Sequence, residues 1–173
     1  WQAEEVDNGG SSGTYSSIAI DPSGNPHISY INTTPNPDAV MYAHHNGTAW
    51  TTEVIDATPY YAYDTSIDLD SSGNPHISYA VYNNTGNSYN LRYSYHNGSE
   101  WVYDDIKDYR GSYWNSYSNT GKNNQIKLNG TDVPHIVFFD DYYDDVYLSV
   151  RINGTWSSSS VDDYGGMYTT GGE

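Results

Sequence analysis

The chain has 173 residues, of which 22 are acidic and six are lysine or arginine, so its formal net charge is −16. Such an acidic chain is not expected to bind nucleic acids or anionic membranes, because both are recognised through basic patches. The absence of cysteine excludes a disulfide framework and thiolate metal sites, and no apolar run reaches the length of a membrane span.

One motif recurs three times along the chain. Its first copy, at 21–30, reads DPSGNPHISY; the motif returns almost unchanged at 70–79 and in a degenerate form at 129–138. Each copy follows a short alternating run, which predicts a strand, a tight polar turn and a second strand. Gly24 and Gly73 supply the positive φ that such a turn needs.

A second motif marks the other half of each repeat. Third strands are predicted at 40–43, 91–95 and 146–150, and each is followed by Asn-Gly and then by a tryptophan that opens a fourth strand. Asn-Gly between strand-like segments is the strongest short-range signal of a β-hairpin. Tryptophans recur about every 50 residues, the period of a propeller blade; they are Trp1, Trp50, Trp101 and Trp156.

These patterns predict an all-β, β-propeller-like fold with three four-stranded antiparallel blades and an extra N-terminal strand. The predicted units of this single repeat domain are an orphan fourth strand at 1–7, blades at 16–56, 66–107 and 124–163, and a tail at 164–173. Propellers have four to eight blades, so three do not close a ring. Either the chain is a fragment with an open fold, or its blades are completed by neighbouring molecules. We expect self-association through strand edges.

The two motifs, D-x-x-G-N-P-H-I-S-Y and N-G-T/S-x-W, resemble the repeats of extracellular β-propeller proteins of bacteria and archaea in the sialidase-like, Asp-box-type grouping. The resemblance covers nearly the whole chain and implies a secreted or cell-surface protein. The chain departs from a full Asp-box because the residues before the tryptophan read Asn-Gly-Thr-Ala, without an aspartate.

Six Asn-x-Ser/Thr sequons fall at predicted turns and connections, and we interpret them as N-glycan acceptors of a secreted protein. They are Asn32, Asn46, Asn83, Asn97, Asn129 and Asn153. The alternative is that a β protein rich in Asn, Gly and Thr generates sequons through its turn chemistry alone.

Repeated and clustered side chains supply further candidates. His27, His76 and His135 share one repeat position, where packing beside a turn is favoured over a ring of metal ligands. The repeating tryptophans are assigned the same structural role. Oxygen donors suited to calcium cluster at Asp140, Asp141, Asp144 and Asp145, with a solvated acidic face as the alternative.

Exposed tyrosine and tryptophan side chains stack on sugar rings and anchor protein interfaces. The candidates for either role are Tyr60, Tyr61, Tyr63, Tyr113, Trp114, Tyr142 and Tyr143. The alternative is that these rings fill the space between adjacent blades, because aliphatic residues are scarce while the chain has 20 tyrosines and five tryptophans.

No catalytic motif is present. The three arginines, Arg92, Arg110 and Arg151, are interpreted as surface ion-pair residues rather than as a clamp for a substrate carboxylate. The sequence therefore predicts a protein that is not an enzyme and has no cofactor other than the calcium considered above. We expect a secreted or cell-surface structural glycoprotein, a subunit of a filament or surface array. The alternatives are a carbohydrate-binding, lectin-like propeller and a fragment of a sialidase-like glycoside hydrolase.

Overall fold

The computed structural model describes residues 3–34, 38–57, 61–83, 88–106, 120–140 and 145–161, except for the side chains of Asn83 and Ser88. Within these ranges the chain forms twelve β-strands and no helix, which confirms the all-β prediction. No helix in this part of the chain is long and apolar enough to span a membrane.

The strands are β1 (Ser12–Ile20), β2 (Pro26–Asn32), β3 (Ala39–His45), β4 (Trp50–Asp56), β5 (Ala62–Leu69), β6 (Pro75–Asn83), β7 (Ser88–His96), β8 (Trp101–Ile106), β9 (Thr120–Leu128), β10 (Pro134–Asp140), β11 (Asp145–Ile152) and β12 (Thr155–Ser160). They form three antiparallel sheets of four strands, each in simple sequential order. We call them blade 1 (β1–β4), blade 2 (β5–β8) and blade 3 (β9–β12). The prediction of three four-stranded blades is confirmed, and the ring is not closed.

The blades pack face to face in chain order. We call the face that packs on the preceding blade the front face, and the opposite one the back face. In seam 1–2, the contact between blades 1 and 2, Ile31 and Val40 of one back face meet Ile77 and Tyr79 of the next front face. Seam 2–3 is built in the same way, around Leu91 and its neighbours. The hydrophobic core therefore lies between sheets, because a single sheet cannot bury either face alone.

We call the first strand of each blade (β1, β5 and β9) its inner strand and the fourth (β4, β8 and β12) its outer strand. The inner strands begin earlier than the sequence predicts, at residues 12, 62 and 120 rather than at 16, 66 and 124. A β-bulge explains the error. Each inner strand shifts register at the same repeat position, where Tyr15, Asp64 and Asn123 all have a φ of 52°. An inserted residue interrupts the alternation of apolar and polar side chains, so the pattern shows only the second half of each strand.

The predicted N-terminal strand is wrong. Residues 3–11 form no strand and belong to none of the three sheets, and a strand needs a paired neighbour. Val6 instead packs against Tyr30 and Met41 on the front face of blade 1.

Candidate functional sites: the seams and two open blade faces

Three polar contacts hold the outer edge of seam 1–2. The indole Nε1 of Trp101 donates a hydrogen bond to Glu53 Oε2 at 3.0 Å. The hydroxyl of Tyr79 donates to Asp56 Oδ2 at 3.1 Å, and Arg92 Nη1 donates to the same oxygen at 2.7 Å. The outer strand β4 therefore supplies the carboxylates that bind blade 2.

Residues 4–7 repeat two of these contacts on the front face of blade 1. Trp50 Nε1 donates to Glu4 Oε2 at 3.2 Å, and the Tyr30 hydroxyl donates to Asp7 Oδ2 at 2.7 Å. By repeat position these two carboxylates correspond to the two that β4 supplies in seam 1–2. The N-terminal segment therefore lies where the outer strand of a preceding blade would lie, although it is not itself a strand.

Seam 2–3 replaces a polar pair with an apolar one. Phe138 stands at the repeat position of Tyr79. Ile106 lies opposite Leu91 in blade 2, as Asp56 lies opposite Val40 in blade 1, so Ile106 stands at the repeat position of Asp56. Phe138 and Ile106 belong to one buried cluster. Because both partners change together, neither a hydroxyl nor a carboxylate is left in an apolar environment.

The tryptophan of seam 2–3 has no hydrogen-bond acceptor for its indole N–H among the described residues. Asp104 stands at the position of Glu53, and its carboxylate accepts a hydrogen bond from Arg151 Nε at 2.9 Å. Trp156 Nε1 is buried, and no acceptor among the described residues lies within hydrogen-bond distance of it. An aspartate is one methylene shorter than the glutamate of seam 1–2, which accounts for the missing contact.

We expect Asp104→Glu to raise the free energy of unfolding by about 1 kcal/mol, the usual value of one added hydrogen bond. The longer side chain reaches the indole of Trp156 as Glu53 reaches that of Trp101. Urea denaturation followed by tryptophan fluorescence measures the change. The matched variant, Glu53→Asp, should destabilise the protein by a similar amount, and equal stabilities of both variants and the parent would contradict the assignment.

Arg92 is not the surface residue that the sequence predicts. Its side chain is only 15 % exposed, and it bonds Asp56 of blade 1 and Asp105 of its own blade, each at 2.7 Å. Arg151 forms a half-buried pair across seam 2–3. Arg110 lies outside the described residues. The described arginines thus join blades rather than line a pocket.

Two of the three predicted histidines are buried at the start of a second strand. Nδ1 of His27 lies 2.5 Å from the Tyr42 hydroxyl, and Nδ1 of His76 lies 2.6 Å from the Tyr93 hydroxyl. On the other side of each ring, Nε2 faces the aspartate of the preceding turn, at 3.9 and 3.7 Å. His135 differs, because its Nδ1 contacts a backbone carbonyl at 2.9 Å.

These two histidines make stability depend on pH. Burial lowers the pKa of His27 and of His76, so the unfolded chain binds protons near the ordinary value of about 6.5 while the folded chain does not. Stability is therefore full above this value and falls as the pH drops below it. Urea midpoints measured between pH 8 and pH 5 should decline less for the double variant His27→Gln/His76→Gln than for the parent. Parallel declines would contradict the assignment.

The front face of blade 1 is open. Ile18 is 60 % exposed, whereas the residues at its repeat position in blades 2 and 3, Ile67 and Ile126, are 2 % and 0 % exposed. The same blade carries a cavity of about 220 Å³ lined by Val6, Asp7, Ser12, Gly13, Ser16, Ile28 and Tyr30. This apolar repeat position is thus covered in two blades and exposed to solvent in the third.

The back face of blade 3 is also open. Val137 is 36 % exposed, while Ser29 and Ser78 at its repeat position are fully buried in their seams. Val146 is 37 % exposed, whereas Leu91 at its position is 0 % exposed. Register places Phe139 and Leu148 on this same face. By repeat position, the two open faces correspond to the two sides of a seam.

Two of the predicted aromatic candidates are described. Tyr63 contacts both neighbouring blades: its ring centroid is 5.4 Å from that of Tyr15 in blade 1 and 5.7 Å from Lys122 Nζ in blade 3. It also lies 5.3 Å from the ring of Tyr89 in its own blade. Tyr61 is 49 % exposed, so it is the more accessible of these two candidate rings. The other candidates lie outside the described residues; they are Tyr60, Tyr113, Trp114, Tyr142 and Tyr143.

Four of the predicted glycosylation sites are exposed and lie in turns at one end of the blades; they are Asn46, Asn97, Asn129 and Asn153. Asn46 Oδ1 accepts bonds from the next turn residues, so the turn is formed without a sugar. Asn32 is half-buried, and its Nδ2, the atom that would carry a glycan, donates to Gly9 O at 3.2 Å. The side chain of Asn83 and all of Trp1 lie outside the described residues.

Within the described ranges, no group of three or more histidine or carboxylate side chains is placed to hold a metal ion. Asp140 is buried and accepts a hydrogen bond from Thr120 Oγ1 at 3.3 Å, with Asp145 opposite it on β11. Asp141 and Asp144 lie outside the described residues. The calcium site stays a prediction.

No protein-family model and no curated protein matches the sequence. The fold is similar to that of a fucose lectin from Kordia zhangzhouensis, solved in complex with methyl-fucoside: the TM-score is 0.52 at 15 % identity, over 83 % of this chain and 96 % of the lectin chain. A protein of unknown function from Dyadobacter fermentans aligns with a TM-score of 0.41 at 8 % identity, over 89 % of this chain and 70 % of that one. The similarity to the lectin, at such low identity, concerns the fold alone.

Proposed function

We propose that the chain is a structural subunit that joins neighbouring molecules through its two open blade faces, as in a filament or surface array. The observation that carries the proposal is that Ile18 is exposed, whereas Ile67 and Ile126 at the same repeat position in the other two blades are buried. Transfer of such side chains out of water stabilises an interface. The back face of blade 3 supplies the matching apolar surface.

The proposal predicts that the purified chain forms oligomers, as light scattering after gel filtration would measure. Ile18→Asp and Val146→Asp each place a carboxylate in an open face, and either change should shift the population to monomers. Tyr103→Asp is the matched control, because this side chain is 58 % exposed on the middle blade and should leave association unchanged. A monomeric parent at high concentration would overturn the proposal.

N-glycans and a cell-surface location belong to the same proposal. The four exposed sequons lie in turns at one end of the blades, so sugars there would project from the strand ends rather than from the open sheet faces. The intact mass of native material, before and after enzymatic removal of N-glycans, tests this. An unmodified mass would remove the glycoprotein part of the proposal while leaving association in place.

A second candidate function is carbohydrate binding, favoured by the similarity in fold to a fucose lectin. The exposed ring of Tyr61 offers an apolar face on which a sugar could stack. A glycan array should show saturable, sugar-specific binding that Tyr61→Ala abolishes and Tyr103→Ala leaves intact. Absence of binding would remove this candidate. Turnover of fluorogenic glycosides by the parent chain would instead favour the hydrolase alternative.

A further inference from the structure

We propose that residues 3–8 of one copy serve as the outer strand of blade 3 in a second copy, taking the place of its β12. The inference rests on the proposed function, since it names the contact through which two copies join. In this arrangement the back face of blade 3 in the second copy covers the front face of blade 1 in the first. The new seam repeats seams 1–2 and 2–3.

The first support is the chemistry of residues 4–7. Their carboxylates bond Trp50 and Tyr30 at 3.2 and 2.7 Å, as Glu53 and Asp56 of the outer strand β4 bond blade 2 at 3.0 and 3.1 Å. The segment thus already makes the contacts of an outer strand to the following blade. It lacks the other half of an outer strand's environment, a third strand to pair with.

The second support is the cavity beside this segment. In seam 1–2 the space between the outer strand and the next inner strand is filled by Ile31 and Val40, both fully buried. On the front face of blade 1 the corresponding space is the cavity of about 220 Å³. At the repeat positions of those two side chains, blade 3 carries Phe139 and Val146 on its open back face. Blade 3 of a second copy therefore has the side chains that would fill it.

The third support lies in the side chains of β12, because its backbone pairing with β11 is complete. Its last four residues are serines, so it offers no carboxylate at the position of Glu53. Both Trp156 Nε1 and Ser160 Oγ are buried without a hydrogen-bond partner in the described part of the chain. A buried polar atom without a partner costs free energy. Exchange of β12 for residues 3–8 would place Glu4 where β12 carries Ser159.

The register of the exchange follows from blade 1. There Thr52 of the outer strand lies opposite Ala43 of the third strand. The corresponding residues in the exchanged pair are Ala3 of one copy and Ser149 of the second. At the inner edge, Ser29 Oγ and Thr65 Oγ1 lie 2.8 Å apart across seam 1–2. The corresponding residues of the new seam are Val137 of the second copy and Ser16 of the first.

Engineered disulfides test this register directly, because the chain has no cysteine of its own. An Ala3→Cys copy mixed with a Ser149→Cys copy should form an intermolecular disulfide, since directly opposed residues have Cα atoms about 5 Å apart, within disulfide range. A Ser16→Cys copy mixed with a Val137→Cys copy should do the same. The pairs Ala43→Cys/Thr52→Cys and Ser29→Cys/Thr65→Cys within one chain are positive controls for the two geometries.

Both intermolecular disulfides together support strand exchange. The 16–137 disulfide without the 3–149 disulfide would overturn it, because blade 3 would then dock with β12 still in place, and the proposed function would stand. Oligomers in which neither disulfide forms, while both controls do, would also overturn the exchange. A parent chain that stays monomeric would overturn the proposed function itself. Gel electrophoresis without reductant distinguishes these outcomes.

Discussion

Replacing Ile106 with aspartate should lower the free energy of unfolding by about 4 kcal/mol, a typical cost of a buried charge that has no partner. Ile106 is 3 % exposed and packs in the cluster that holds Phe138. In seam 1–2 a carboxylate at the corresponding position bonds a tyrosine hydroxyl and an arginine. The phenylalanine ring of seam 2–3 offers neither kind of donor.

The repeat itself supplies the compensating change. Phe138→Tyr alone should cost about 2 kcal/mol, because it buries a hydroxyl against an aliphatic side chain. Combined with Ile106→Asp it should recover about 1–2 kcal/mol relative to the sum of the single changes, as directly interacting residues do. Urea denaturation of the two single variants and the double variant completes the cycle. Simple additivity would show that the two positions do not form a pair.

Gly121→Ala should destabilise the protein by about 3 kcal/mol. The φ of this residue is +89°, where an L side chain is strained by about 1–2 kcal/mol. A Cβ would also lie 2.9 Å from Leu91 Cβ and 3.0 Å from Leu91 Cα in seam 2–3. Such crowding typically adds about 1–3 kcal/mol. Thermal or urea unfolding measures the loss.

Gly13 is the matched control for this change. It stands at the same repeat position with a φ of +100°, but a Cβ there meets nothing within 4 Å because it faces the open front of blade 1. Gly13→Ala should therefore cost only about 1 kcal/mol in the monomer. In the proposed assembly the added methyl group meets Val146 of the second copy, which stands at the repeat position of Leu91, so the same variant should associate more weakly. Equal losses of stability at both glycines would contradict this account.

The architecture could be predicted from the sequence because its signals are local. The turn motif at 21–30 and 70–79 and the Asn-Gly turns fix the strand order, and each blade is built from neighbours in the chain. The starts of the inner strands could not be predicted, because the bulge at Tyr15, Asp64 and Asn123 interrupts the alternation of apolar and polar residues from which strands are predicted.

The pairing across seams was also beyond the sequence. A shift in register between β3 and β4 brings Asp56 opposite Val40. The residue of blade 2 that corresponds to Asp56 is therefore Ile106, whereas counting from the tryptophan would indicate Lys107. The burial of Arg92 could not be predicted for a related reason, since its partner Asp56 belongs to another blade. The sequence does show one sign that the seams differ, because the repeat position occupied by Tyr30 and Tyr79 in the first two blades is occupied by Phe138 in the third.

The stacking of blades in chain order has a consequence for how the protein opens. Each seam joins only consecutive blades, so the molecule is approximately a one-dimensional array in which end units have one neighbour and the central unit has two. Unfolding should begin by fraying at blades 1 and 3, and backbone amides of β6 and β7 should exchange with deuterium most slowly. Association of copies would give the end blades their second neighbour and remove this gradient.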